Sequence, residues 1–333
     1  MPTRKRRLQP NRNLPIIDSM TRTERVAAAV QGDDVDRVPV CFWHHFQPEG
    51  SGRAMAEATI RFFDDEFNLD IAKVMPDIPY PFPQRSILQP NDWRLIEPID
   101  AGRSRFFEER AEAVAGLRAW FGMETPIVMT VFSPLAEAMY FAKDRELFLQ
   151  HLHDHPALIH EVLETIAQNL NAHIREVIAA GADGIFFSVQ GISSDILTEA
   201  QYREFGRPYD LMALRGAVDG WLNILHIHGE KNLMFDLVLD YPVSVLNWSD
   251  RLAGPSLRDA RVKTSKTLMG GWHEFGPLSN GPVEQIQAEA EDAIAQTGGR
   301  RFILANGCSV PDDTDHELLH AARDIAQLLR PAE

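Results

Sequence analysis

"PALIHEVLETIAQNLNAHIREVIAAGADGIFFSV", residues 156 to 189, carries one full repeat of the architecture. Apolar residues recur at spacings of three and four through residues 156–181, the pattern of a helix with one buried face, and Gly181 closes it. "GIFFSV" (184–189) is then an unbroken apolar run, too short for a helix and rich in aromatic and β-branched residues. Such a run reads as a buried strand.

Seven further runs share that character: "VPVCFW" (38–43), "DIAKVM" (70–75), "PIVMTVF" (126–132), "LNILHI" (222–227), "VSVLNW" (243–248), "TLMGGW" (267–272) and "FILANG" (302–307). Helical patterns fall between most of them, clearest in "PVEQIQAEAEDAIAQTGG" (282–299) and "DHELLHAARDIAQLL" (315–329). Ahead of the first strand, Thr21 is placed to cap a helix, Glu24 to complete a capping box, and Gly32 to end it. Eight strands interleaved with helices predict an α/β fold, a single (β/α)8 TIM barrel with an N-terminal helical extension. A doubly wound sheet would alternate too, but no G-x-G-x-x-G or G-x-x-x-x-G-K-[ST] loop follows any strand. The expected organisation is a basic tail over 1–19 and the barrel over 20–333. Residues 76–125 form the longest gap between strands, and with "PDIPYPFPQ" at its start this insertion after strand two is expected to hold a hairpin and a helix over the barrel mouth.

The net charge of −15 in 333 residues argues against nucleic acid or an anionic membrane as partner. The basic "RKRRLQPNR" (4–12) reads as a solvated tail. No apolar run reaches the length of a membrane span and the start lacks a secretory core, so a cytoplasmic location is the expectation. Cys41 and Cys308 are too few for a disulfide framework, which fits a reducing compartment.

In a (β/α)8 barrel the chemistry sits at the C-terminal strand ends. Trp43, His44 and His45 close strand one, and Asp77 follows strand two; Ser133 and, further on, Tyr140 follow three, and Gln190 follows four. His226 and His228 close strand five, Asn247, Trp248 and Asp250 surround the end of six, Trp272, His273 and Glu274 close seven, and Asn306 and Cys308 close eight. Any one of these histidines, taken alone, reads more readily as a hydrogen-bonded structural residue than as a ligand. His226 and His228 stand apart because residues two apart on a strand share a face. With Cys308 they would make a three-ligand metal site with an open fourth position, the pattern of catalytic zinc. Cys41, inside strand one, reads as core. "HLHDH" (151–155) reads as a solvated helix end.

"MTRTERVAAAVQGDDVDRVPV", "LDIAKVMPDI", "VFSPLAEAMYFAKD", "GADGIFFSVQG" and "FILANGCSVPDDTDHELLHAARDI" resemble, in order, blocks of the uroporphyrinogen decarboxylase superfamily, over about residues 20 to 330. The resemblance implies the same barrel and one of two chemistries. The first is cofactor-independent decarboxylation, in which Asp77 and Tyr140 match a catalytic aspartate and a substrate-contacting tyrosine. "WHHFQPE" replaces that branch's arginine-rich "RQAGRY", and "NGC" replaces its "GHG", which speaks against a porphyrinogen substrate. The second is methyl transfer by zinc enzymes that work with corrinoid proteins, whose H-x-C and late cysteine match at His226 and Cys308 while His228 stands where that branch has cysteine.

The expected function is therefore a metal-dependent methyltransferase, with Zn2+ on His226, His228 and Cys308, moving methyl between a small methyl ether or thiol and cobalamin, as in O-demethylation. No D-x-H-x-x-G corrinoid motif is present, so the corrinoid would come on a separate protein or free. Asp77, Tyr140, His273 and Glu274 are the expected catalytic residues. His44, His45, Trp43, Gln190, Trp248, Asn247 and Trp272 are the expected substrate contacts. A decarboxylase or lyase of a small acid built on Asp77 is the alternative, and a non-catalytic corrinoid- or metal-binding barrel is the third reading. A homo-oligomer is compatible with all three.

Overall fold

The computed structural model describes residues 19–46, 50–77, 80–81, 83, 85–100 and 104–331. Nearly all of the expected basic tail lies outside these. Eight parallel strands run in the sheet order β1-β8-β7-β6-β5-β4-β3-β2: β1 (Val40–Cys41), β2 (Ala72–Val74), β3 (Ile127–Phe132), β4 (Gly184–Val189), β5 (Ile224–Ile227), β6 (Val245–Trp248), β7 (Thr267–Trp272) and β8 (Phe302–Asn306). Every position of these strands but Phe132 is buried, as expected of a parallel sheet with helices outside and side chains filling the interior. The fold is the TIM-barrel type.

The sheet order makes β1 and β2 its two ends, and polar groups join them. The Asp70 N–H donates to Val40 O at 3.0 Å, and the Asp70 carboxylate accepts from Val40 N–H at 2.8 Å. That buried carboxylate also binds Arg25 at 2.7 Å and Arg37 at 2.6 Å, while Arg25 reaches Asp36 at 2.6 Å. Arg25 comes from the helix Arg22–Gln31, which starts with the expected Thr21–Glu24 capping box and ends at Gly32 with φ 81°. The N-terminal helix is thus tied to the seam, and it also meets the strand bottoms where Arg301 donates to Val30 O and Gln31 O. Strand one is shorter than expected, since Pro39 has no N–H to donate to a ladder.

The expected hairpin over the mouth is not found among the described residues. Prolines through this segment cannot supply ladder donors, and Ile87 makes only a lone parallel bridge to Ala142. A 3-10 helix (Pro90–Leu95) follows. The helix of the insertion, Arg105–Phe121, buries Phe107, Val114 and Leu117 and anchors Arg118 on Gly181 O at 2.9 Å, so it lies along the wall as an ordinary barrel helix. His151 corrects the solvated reading of "HLHDH": it is buried and its Nδ1 accepts from the Trp93 indole at 3.0 Å. Cys41 is a core residue.

Candidate active site

His226 lies inside β5, and His228 one residue beyond its end. The His228 N–H nevertheless donates to Val189 O at 3.0 Å, carrying the pairing with β4 one residue further. Both imidazoles therefore keep the two-residue alternation and face the same space, with ring centroids 5.6 Å apart. Cys308 arrives from the loop after β8, its Sγ 3.7 Å from His228 Nδ1. One ligand atom from each of His226, His228 and Cys308 lies within 4.8 Å of the others, the group of this kind found among the described residues. Gly307 permits this approach: a Cβ there would meet Ser249 Cα at 2.4 Å. Asn306 holds the loop, donating to Trp43 O at 3.1 Å and Cys308 O at 2.6 Å.

Asn247 decides the chemistry of His226. Its amide Nδ2 donates to two carbonyls, Met269 O at 3.0 Å and Asn306 O at 3.1 Å, so Oδ1 must be the atom 2.6 Å from His226 Nδ1. An amide oxygen only accepts, so Nδ1 carries the proton and Nε2 keeps its lone pair for a metal. Burial, with His228 alongside, pulls the His226 pKa down to about 3, and burial lowers that of His228 as well. Both rings are neutral ligands at neutral pH. Burial pushes the Cys308 thiol up to about 11, with Glu274 adding to the shift, so a bound cation must displace a proton to gain the thiolate. The donor set fits zinc: two neutral imidazoles and one thiolate converge, with no fourth protein ligand grouped with them among the described residues.

These three residues line a cavity of about 150 Å3 with Trp43, His45, Lys73, Thr130, Phe132, Tyr140, Phe186, Ser188 and Gln190. Tyr140, Gln190 and His228 also line a groove of about 720 Å3 outside it, so the deep cavity adjoins a wide mouth. Gln190 Nε2 donates to Tyr140 OH at that junction. His45 Nδ1 lies 3.4 Å from Asp77 Oδ1, and the other Asp77 oxygen is buried with no hydrogen-bond partner among the described residues.

Other expected contacts are elsewhere. His44 turns away into a separate cleft with Phe46, Phe62 and His316. Trp248 and Trp272 are fully buried in the outer wall, donating to Pro255 O at 2.9 Å and to Ile286 O at 3.0 Å. Asn247 has no exposed surface and its side-chain groups are engaged, so it supports His226 and lies outside the cavity lining. His273 accepts from Phe275 N–H at 3.1 Å, away from the cavity. Glu274 is buried, accepts from Ser249 Oγ and lies behind Gly307, where it acts on Cys308 without lining the cavity.

The residue that sequence reasoning passed over is Lys73. It is 2% exposed, its Nζ sits 4.4 Å from the Phe186 ring centroid and 5.0 Å from that of Trp43, and it donates to Met75 Sδ at 3.0 Å. Burial brings its pKa down to about 7, partly offset by Cys41, Cys308 and Asp77. The available signal was a lysine inside an otherwise apolar strand run, "DIAKVM".

The family model for uroporphyrinogen decarboxylase (URO-D) matches residues 71–328. The chain belongs to the URO-D family. Within it the chain is similar to a protein named methylcobamide:CoM methyltransferase MtaA of Methanosarcina barkeri (strain Fusaro / DSM 804), 23% identical with 92% of this chain and 99% of the relative covered. A solved structure described as a methyltransferase from Methanosarcina mazei matches with a TM-score of 0.74, 20% identity, and 92% of this chain and 98% of that one covered. A B12-independent methionine synthase from Shewanella sp. W3-18-1 matches with a TM-score of 0.59, 12% identity, and coverage of 87% and 94%. The two structures show the shared fold. The relative and the two neighbouring structures carry methyltransferase or methionine synthase names. No helix among the described residues is long and apolar enough to cross a membrane.

Proposed function

We propose that this URO-D barrel is a zinc-dependent methyltransferase that moves a methyl group between a small methyl ether or thiol and a corrinoid carried by a partner protein. The observation that carries the reading is the convergence of His226, His228 and Cys308, with the His226 tautomer set by Asn247. The name of the Methanosarcina barkeri relative supports the corrinoid half of it.

His226 Nε2, His228 Nδ1 and the Cys308 thiolate would hold the ion. The chemistry zinc supplies when bound is Lewis acidity at the heteroatom that gains or loses methyl. The chain's own groups do the rest. Trp43, Phe132 and Phe186 wall the cavity with apolar surface, which excludes water and orients a small substrate. His45 lines the cavity and is placed to hold a proton for a leaving or entering heteroatom, with Asp77 behind it. The wider groove past Tyr140 and Gln190 is the side from which a corrin would approach. A single cysteine leaves the site less anionic than an H-x-C site, which favours methyl ether donors over thiol acceptors.

The decarboxylase alternative rests on Asp77. That carboxylate is outside the lining of the small cavity, which weakens it. The deciding experiment uses protein purified without a histidine tag. Zinc near one per chain, lost in His226→Ala and Cys308→Ala, together with a corrin absorbance change when cob(I)alamin meets a methyl ether panel or methylcobalamin meets a thiol panel, is the expected result. Absence of metal sinks the zinc reading. Metal without any corrin change favours a carrier.

A further inference from the structure

His44, which turns away from the active cavity, has only one ring nitrogen engaged. Its Nδ1 lies 2.6 Å from His45 O, and a carbonyl only accepts, so Nδ1 carries the proton and Nε2 keeps its lone pair. Burial lowers the pKa of this ring, with His316 adding to the shift, so it is neutral at neutral pH. Nε2 is buried with no hydrogen-bond partner among the described residues. Leaving a buried acceptor without a donor is costly, and this ring lines a cleft with room for one.

The cleft holds about 380 Å3, within the range of small-molecule sites, roughly 300–1,000 Å3. Phe62 and Phe46 have ring centroids 4.8 and 5.2 Å from that of His44, so the acceptor sits among aromatic walls. The π-helix Arg61–Glu66 supplies one side, and its i→i+5 turn brings Arg61, Phe62 and Glu66 together on the cleft. His316 closes the far side, its Nδ1 2.6 Å from Glu66 Oε1. Arg61 brings positive charge and Glu57 and Glu66 negative, so net charge selects neither anion nor cation. Among the described residues, His44, Glu66 and His316 do not converge into a metal-sized group. What the cleft lacks is a hydrogen-bond donor on a flat, apolar body.

From these contacts we propose that the cleft is a second small-molecule site, which takes a flat aromatic ligand bearing a hydroxyl or ring N–H, with that donor on His44 Nε2 and the ring against Phe46 and Phe62. The site backs onto the active cavity. The carbonyl that fixes the His44 tautomer belongs to His45, which lines that cavity and whose N–H donates to Asp312 Oδ1 at 3.3 Å.

Phenol and anisole test this, since they share a ring and anisole has no O–H. The full chain, labelled with 15N at its histidine rings, is titrated with each and followed by NMR. The His44 signals are assigned by their loss in His44→Phe or, should that variant not fold, by through-bond correlation to the backbone. Phenol is expected to move the His44 Nε2 resonance upfield and saturably, as the lone pair accepts, and to bind about tenfold more tightly than anisole, near the upper end for a neutral hydrogen bond. Ala58→Trp, which fills the cleft from its helical wall, should abolish the response while the His44 signals and the zinc content persist. No movement of His44 Nε2 with phenol, equal responses to phenol and anisole, or a response that survives in folded Ala58→Trp overturns the assignment.

Discussion

Replacing Asn247 by alanine isolates the feature on which the metal site depends. The side chain makes three hydrogen bonds, one holding His226 Nδ1–H and two tying it to the Met269 and Asn306 carbonyls. Loss of a hydrogen-bond partner behind a metal-binding histidine lowers metal affinity by about 10–100-fold, ~1.4–2.8 kcal/mol. Stability should fall too, by roughly 3 kcal/mol if each lost bond is worth about 1 kcal/mol. The two effects separate in Asn247→Asp. Its carboxylate still accepts from Nδ1–H and should keep zinc affinity near the wild-type value, while its second oxygen faces two carbonyls and destabilises the fold. Zinc affinity is read by competition with a chromophoric chelator, and stability by urea unfolding of the metal-free protein. A folded Asn247→Ala variant that binds zinc as tightly as wild type would refute the claim that this amide orients a ligand.

Zinc affinity should also rise with pH, about tenfold per unit across the neutral range, because the Cys308 proton with its pKa near 11 must leave while the two lowered imidazoles are already neutral. A twofold steeper slope on the logarithmic scale would mean that an imidazole also releases a proton. Asp70→Asn removes the buried carboxylate shared by Arg25 and Arg37, and should cost on the order of 3–5 kcal/mol in urea unfolding. A loss under 1 kcal/mol would mean the seam is held by other contacts. Trp248→Phe and Trp272→Phe should leave substrate KM unchanged, since both indoles face the helix layer, whereas Trp43→Leu should raise it. A KM shift in Trp248→Phe would return that residue to the pocket.

The strands were legible because those of a fully wrapped parallel sheet are continuous apolar runs, and "GIFFSV" and "TLMGGW" coincide with β4 and β7 to the residue. The His226–His228 pair was legible because its two-residue spacing is itself the geometry. Facing direction was harder to read. His44 and His45 are adjacent just past the end of β1, and only the folded loop sends one to the mouth and the other to a side cleft. On β6, Asn247 pairs with His226 and shares its inward face, so Trp248 must point outward, a relation that requires the register of two strands. Lys73 was hidden for a similar reason. A lysine in a strand ordinarily marks a solvated face, but both faces of this strand are covered. The insertion misled because a proline-rich gap resembles a loop with its own hairpin, while its helix belongs to the barrel wall.

The central claim is that two imidazoles and one thiolate of this chain bind a metal. X-ray absorption on zinc-loaded protein tests it most directly. One sulfur at about 2.3 Å and two imidazole nitrogens at about 2.0–2.1 Å are expected, with the sulfur absent in Cys308→Ala. A wild-type spectrum without sulfur, or an unchanged one in Cys308→Ala, would contradict it.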